Sequence, residues 1–67
     1  MTIARVTEIS ARSETSFEDA VAKGIARATK TLRNVESAWI KEQSVRVRDN
    51  QVSEYQVNMV VTFELDD

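Results

Sequence analysis

QVSEYQVNMVVTFEL, residues 51–65, decides the fold. Tyr55, Val57, Met59, Val61, Phe63 and Leu65 fall on one face, while Glu54, Gln56, Asn58, Thr62 and Glu64 dominate the other. A period of two sustained over that length is a β-strand with one dry side. Just before it, Asp49-Asn50 suits a two-residue hairpin turn whose central residues both need positive φ. The strand it leads back to is Val35–Arg48.

The apolar row needs a cover, and one helix supplies it. Phe17, Ala20, Val21, Gly24, Ile25, Ala28 and Leu32 form a single helical stripe, with Glu18, Lys23, Arg27 and Lys30 kept off it. Ser16 followed by Asp19 resembles a capping box, so the helix is predicted to start at Phe17 and run to about Arg33. Acidic residues early and basic residues late complement its dipole. Gly24, on the apolar stripe, points to close approach between helix and sheet, with a ligand contact as the alternative. Asn34 is a candidate left-handed cap. Upstream, Thr2–Arg12 carries Ile3, Val6, Thr7 and Ile9 and reads as another strand. The fold class is α+β, in the order β-α-β-β, with a three-stranded antiparallel sheet wrapped on one helix and residues 1–67 as a single domain.

Pairing Arg48 with Gln51 and continuing without interruption sets Gln43 opposite Gln56, Lys41 opposite Asn58, Trp39 opposite Val60 and Ser37 opposite Thr62. These share the face away from the helix with Val45, Val47 and Val52, whereas Glu42 and Arg46 fall on the other side. One helix cannot cover both faces, so a patch holding Trp39 and several valines is expected to be buried against other copies.

Composition agrees. A 67-residue chain buries only about 60% of its unfolded surface, which leaves a monomer marginal. Cysteine and histidine are absent, which removes disulfides, thiolate or imidazole metal sites, cysteine nucleophiles and the usual near-neutral base. Oligomerisation is the remaining support. The formal charge of −2 and pI near 5.0 lower the expectation of nucleic-acid binding. No apolar run suits a membrane span or signal peptide, so no membrane partner and a cytoplasmic location are expected. No phosphate-cradling glycine loop and no catalytic constellation is present, so an enzyme is not expected.

The element order, together with Glu14-Thr-Ser-Phe-Glu-Asp-Ala, Ala26-Arg-Ala, Asn34-Val35, Glu42-Gln43, Tyr55-Gln56-Val57 and Phe63-Glu-Leu-Asp66, resembles the dodecin family of small flavin-binding proteins. The resemblance implies a hollow homododecamer that stores or sequesters flavin (riboflavin, FMN or FAD) between subunits, without turnover. It also implies that Gln56 contacts the flavin, since a primary amide can both donate to and accept from the pyrimidine edge. Apart from the resemblance, a cross-strand Gln43–Gln56 amide pair is the competing reading. Glu42 and Arg46 match positions that contact the ribityl chain or phosphate in flavin-binding relatives.

One departure matters. Where the family carries its stacking tryptophan, this chain has Ser37, and a hydroxyl offers no stacking surface. Trp39 lies about 7 Å further along the same face. It either supplies a displaced stacking surface or anchors an interface beside a degraded flavin site. Some relatives without the tryptophan are associated with calcium in place of flavin, so an assembly that has lost flavin stacking and is structural, or binds calcium or another small ligand, is the alternative function. The carboxylates available for that are Glu64, Asp66 and Asp67, although no EF-hand spacing is present.

Overall fold

A computed structural model describes residues 2–66 of the chain. It contains β1 (Ala4–Ser13), α1 (Phe17–Thr31), β2 (Val35–Arg48) and β3 (Gln51–Glu64). The sheet order is β1-β3-β2, antiparallel throughout, so the strongly alternating strand is the central one.

Local chemistry sets each boundary. Ser16 caps α1, its Oγ accepting from the Asp19 amide at 3.0 Å. Ser13, the last residue of β1, is the buried hub of this corner. Its Oγ accepts from the amides of Thr15 and Ser16 and donates to the Asp19 carboxylate. That hydroxyl and the Lys23 ammonium at 2.9 Å hold the Asp19 carboxyl below its usual range. The helix ends at Thr31, two residues short of the expected Arg33, because Leu32 turns extended while its amide still bonds to Ala28. Asn34 is left-handed, with φ 61°, but it does not cap the helix; it lies immediately before β2. Its side chain donates to the carbonyl of Glu64 and to Asp66, which ties the start of β2 to the end of β3. Asp49 and Asn50 have φ of 53° and 63°, the primed turn their residue types predict.

Helix α1 lies over β1 and β3. Ala20, Val57 and Met59 are fully buried, with Ile9, Ala11, Phe17, Val21, Ile25 and Ile40 around them. Phe17 meets Tyr55 edge to face at 5.0 Å. Gly24 is the point of closest approach: a Cβ there would stand 2.6 Å from Met59 Cε and 3.0 Å from Ala11 Cβ. The expectation of a close helix–sheet contact is therefore met, and a ligand is not needed to explain the glycine.

The β2–β3 ladder departs from the expected register at three places. Ser53 is an extra residue on β3, and Glu36 and Lys41 are extra residues on β2. After the turn, Ser53 displaces the pairing by one residue; Lys41 restores it. Gln56 consequently faces Ser44, not Gln43, and Asn58 faces Glu42, not Lys41. Trp39–Val60 and Ser37–Thr62 pair as expected. Between the two bulges every β2 side chain changes face. Glu42, Ser44 and Arg46 join Gln56 on the side away from the helix, and Val45 moves to the helix side, opposite Tyr55. The sequence-based placement of Glu42 and Arg46 on the opposite face is thereby corrected, as is the single valine patch.

Candidate ligand-binding site

The uncovered face of the sheet is read by rungs across β1, β3 and β2. They run Val6–Thr62–Ser37, Glu8–Val60–Trp39, Ser10–Asn58–Glu42 and Arg12–Gln56–Ser44, with Glu54–Arg46 beyond. The rungs separate into an apolar end and a polar end. At the apolar end Val6 and Trp39 are 62% and 64% exposed, beside half-buried Val60. Lys41, the bulged residue on this same face, pairs with Glu8 at 3.3 Å and borders the indole.

At the polar end one hydrogen-bonded line crosses all three strands. Arg12 Nε donates to Gln56 Oε1 (3.1 Å), Gln56 Nε2 to Asn58 Oδ1 (3.3 Å), and Asn58 Nδ2 to Glu42 Oε1 (3.1 Å). Glu54 lies between two guanidiniums, 3.9 Å from Arg12 Nε and 3.6 Å from Arg46 Nε. These pairs are exposed and individually worth little. Together they leave a surplus of positive charge at the Arg12–Arg46 end and of negative charge at Glu42.

The bulges thus bring Gln56, Glu42 and Arg46 into one cluster. Trp39 shares their face but stands two rungs from Gln56, about 13 Å by strand rise. Ser37 is one rung further away. Arg12, Asn58 and Glu54 complete the cluster, and sequence reasoning had not selected them. Nothing in the sequence pins the register of β1, so Arg12 could not be matched to a partner on β3. The alternative acidic residues go elsewhere. Asp66 pairs with Arg33 at 3.2 Å, and Glu64 hydrogen-bonds to Glu36, which raises the Glu64 carboxyl above its usual range. Asp67 lies outside the described residues. Among the described residues no three acidic side chains gather where they could hold a metal ion. An open cleft of about 520 Å³ lies on the other side of the sheet, between α1 and β1, floored by Ile9, Ala11, Gly24 and Ala28.

The shape of the chain calls for company. It measures 51 × 19 × 13 Å, with a radius of gyration of 13.8 Å, where a compact chain of this length has about 11 Å. Its accessible surface is 5117 Å², against about 4,300 Å² for a typical folded monomer of its mass. The helix, about 22 Å long, cannot span strands of about 47 Å. Val47 and Val52, 67% and 49% exposed, sit at the uncovered tip. Among the described residues no helix is long and apolar enough to cross a membrane.

Comparison with known proteins gives one consistent result. The dodecin family model matches residues 3–66. A dodecin from Streptomyces davaonensis superposes with a TM-score of 0.94 at 35% identity, covering 98% of this chain and 97% of its own. A point mutant of the Thermus thermophilus dodecin gives 0.94 at 33% identity, covering all of both chains. A calcium-chelating immunodominant antigen, the calcium dodecin of Mycobacterium tuberculosis, gives 0.83 at 26% identity over 96% of this chain and 91% of its own. No match is found among curated proteins. Dodecins are small, oligomeric, non-catalytic binding proteins. Matched in sequence from end to end and in the course of every strand, this chain belongs to the dodecin family.

Proposed function

We propose that this chain is a flavin-binding dodecin, a cytoplasmic homododecamer that stores or sequesters riboflavin, FMN or FAD between subunits and performs no catalysis. The observation that carries the reading is the bulge-driven change of face that sets Glu42 and Arg46 beside Gln56. Gln56, half-buried and amide-bearing, meets the pyrimidine edge of the ring. Arg46 and its neighbour Arg12 attract a phosphorylated tail, and Glu42 accepts from hydroxyls of the ribityl chain. Trp39 stacks on the ring. At about 13 Å from Gln56 of its own chain, far beyond stacking distance, it does so on a ring held by a neighbouring copy. Ser37 lines the same face without stacking.

A second reading is favoured by Ser37 itself: a dodecin assembly that has lost flavin stacking and is structural or binds calcium, as the M. tuberculosis relative does by its description. Titrating the purified protein with riboflavin, FMN and FAD separates the two. Saturable quenching of flavin fluorescence, weakened at least tenfold by Gln56→Ala, supports the first. Absence of quenching at millimolar protein, together with calcium-dependent stabilisation, supports the second.

A further inference from the structure

The line of hydrogen bonds on the uncovered face has a fixed direction. At one end stands a guanidinium, which only donates, and at the other a carboxylate, which only accepts. Turning the Gln56 amide over would set its NH₂ against Arg12 and its oxygen against the oxygen of Asn58. Turning Asn58 over would set its oxygen against Glu42. Each reversal leaves a donor facing a donor or an acceptor facing an acceptor, so the charged ends lock both amides in one orientation.

We propose that this locked pair is a reader of an imide edge, with Asn58 a ligand-contacting residue alongside Gln56 and with Arg12 and Glu42 as positioning residues; the proposal rests on the flavin reading above. After the internal bonds are made, the second hydrogen of Gln56 Nε2, the second lone pair of Asn58 Oδ1 and the second hydrogen of Asn58 Nδ2 remain. In order along β3 they are donor, acceptor, donor. Their complement is acceptor, donor, acceptor: the C=O, N–H, C=O sequence of a planar imide such as the pyrimidine edge of isoalloxazine. The reverse pattern, starting from Gln56 Oε1, would bring a ligand N–H beside the Arg12 guanidinium. Its Nη1 and Nη2 make no hydrogen bond among the described residues, and they repel a second donor. The polarity of the line therefore selects one class of edge.

The test compares riboflavin with 3-methylriboflavin, whose ring N–H is replaced by N–CH₃, by fluorescence quenching on the intact assembled protein. The methylated flavin is expected to bind at least about tenfold more weakly, since it leaves the Asn58 oxygen unpaired. In Arg12→Leu/Glu42→Leu, which removes both fixed ends and lets the two amides turn over together, the gap narrows to about threefold or less; Arg12→Lys, still a donor, keeps it. A purely structural role for Arg12 and Glu42 would weaken both flavins by the same factor and leave their ratio unmoved. Equal binding of the two flavins by the parent protein, or a full gap surviving in Arg12→Leu/Glu42→Leu, overturns the imide reader and leaves the flavin reading standing. Failure of both flavins to bind overturns the two together.

Discussion

Gly24→Ala sets two known effects against each other at a defined site. Replacing glycine by alanine inside a helix ordinarily stabilises by about 1 kcal/mol. Here the new methyl would stand 2.6 Å from Met59 Cε and 3.0 Å from Ala11 Cβ. Met59 Cε is the far end of a flexible side chain and can turn aside at modest cost, so the firmer obstacle is the methyl of Ala11. Ala11 has no rotamer to change, so relief there requires separation of α1 from β1. Overpacking of this kind costs about 1–3 kcal/mol, enough to cancel the propensity gain and leave a net loss of about 1 kcal/mol. With a urea slope of about 1 kcal/mol/M for a small domain, the midpoint should fall by roughly 1 M or less. Parent and variant must be compared at one protomer concentration, because association contributes to apparent stability. Adding Met59→Leu, which removes the clashing methyl, should restore part of the loss, and the double-mutant cycle measures the coupling directly. A Gly24→Ala protein at least as stable as its parent would refute the claim that the helix touches the sheet this closely.

Other outcomes are equally definite. Ser37→Trp restores an aromatic surface to the uncovered face and should tighten riboflavin binding at least tenfold by quenching titration; unchanged affinity would misplace the pocket. Val60→Asp, beside Trp39, should lower the sedimentation coefficient of the assembly, and an unaltered oligomer would show that this face is not buried between copies. Ser13→Ala removes an acceptor shared by two amides at the buried β1–α1 corner and should cost about 1–3 kcal/mol in chemical denaturation; a change within experimental error would count against the hub. Contact with Glu36 raises the Glu64 carboxyl, so the pair's contribution is fully present below the unfolded value near 4.5 and is lost as pH rises through the higher folded value. Glu36→Gln should therefore melt above the parent at pH 7, with no advantage below about pH 4; an advantage independent of pH would argue against the contact.

Much of the fold was legible because each element carried its own signal. The alternation from Tyr55 to Phe63 marked the central strand, the stripe from Phe17 to Leu32 the helix, and Asp49-Asn50 the hairpin. The arrangement of the site was less accessible, because face assignment on β2 depends on bulges that residue type does not announce. A trace was present. Val35, Ile40 and Val45 lie on the helix side at intervals of five, an odd step that an unbroken strand cannot make, and each interval contains one extra residue, Glu36 or Lys41. Reading that spacing would have brought Glu42 and Arg46 to Gln56 from sequence alone. Arg12 offered no such clue, since β1 joins β3 through a helix and its register is set by packing.

The thinness of the core also bears on heredity. Among the described residues only Ala20, Ala28, Val57, Met59 and Val61 are buried and apolar, so in the proposed assembly most of what shelters one copy comes from its sisters. In a cell making sound and faulty versions side by side, a defective copy would spoil any assembly composed mostly of sound ones. The lesion should then behave as dominant, and co-expressing tagged Val60→Asp with the parent would reveal it as a yield of intact oligomer below the share of good chains.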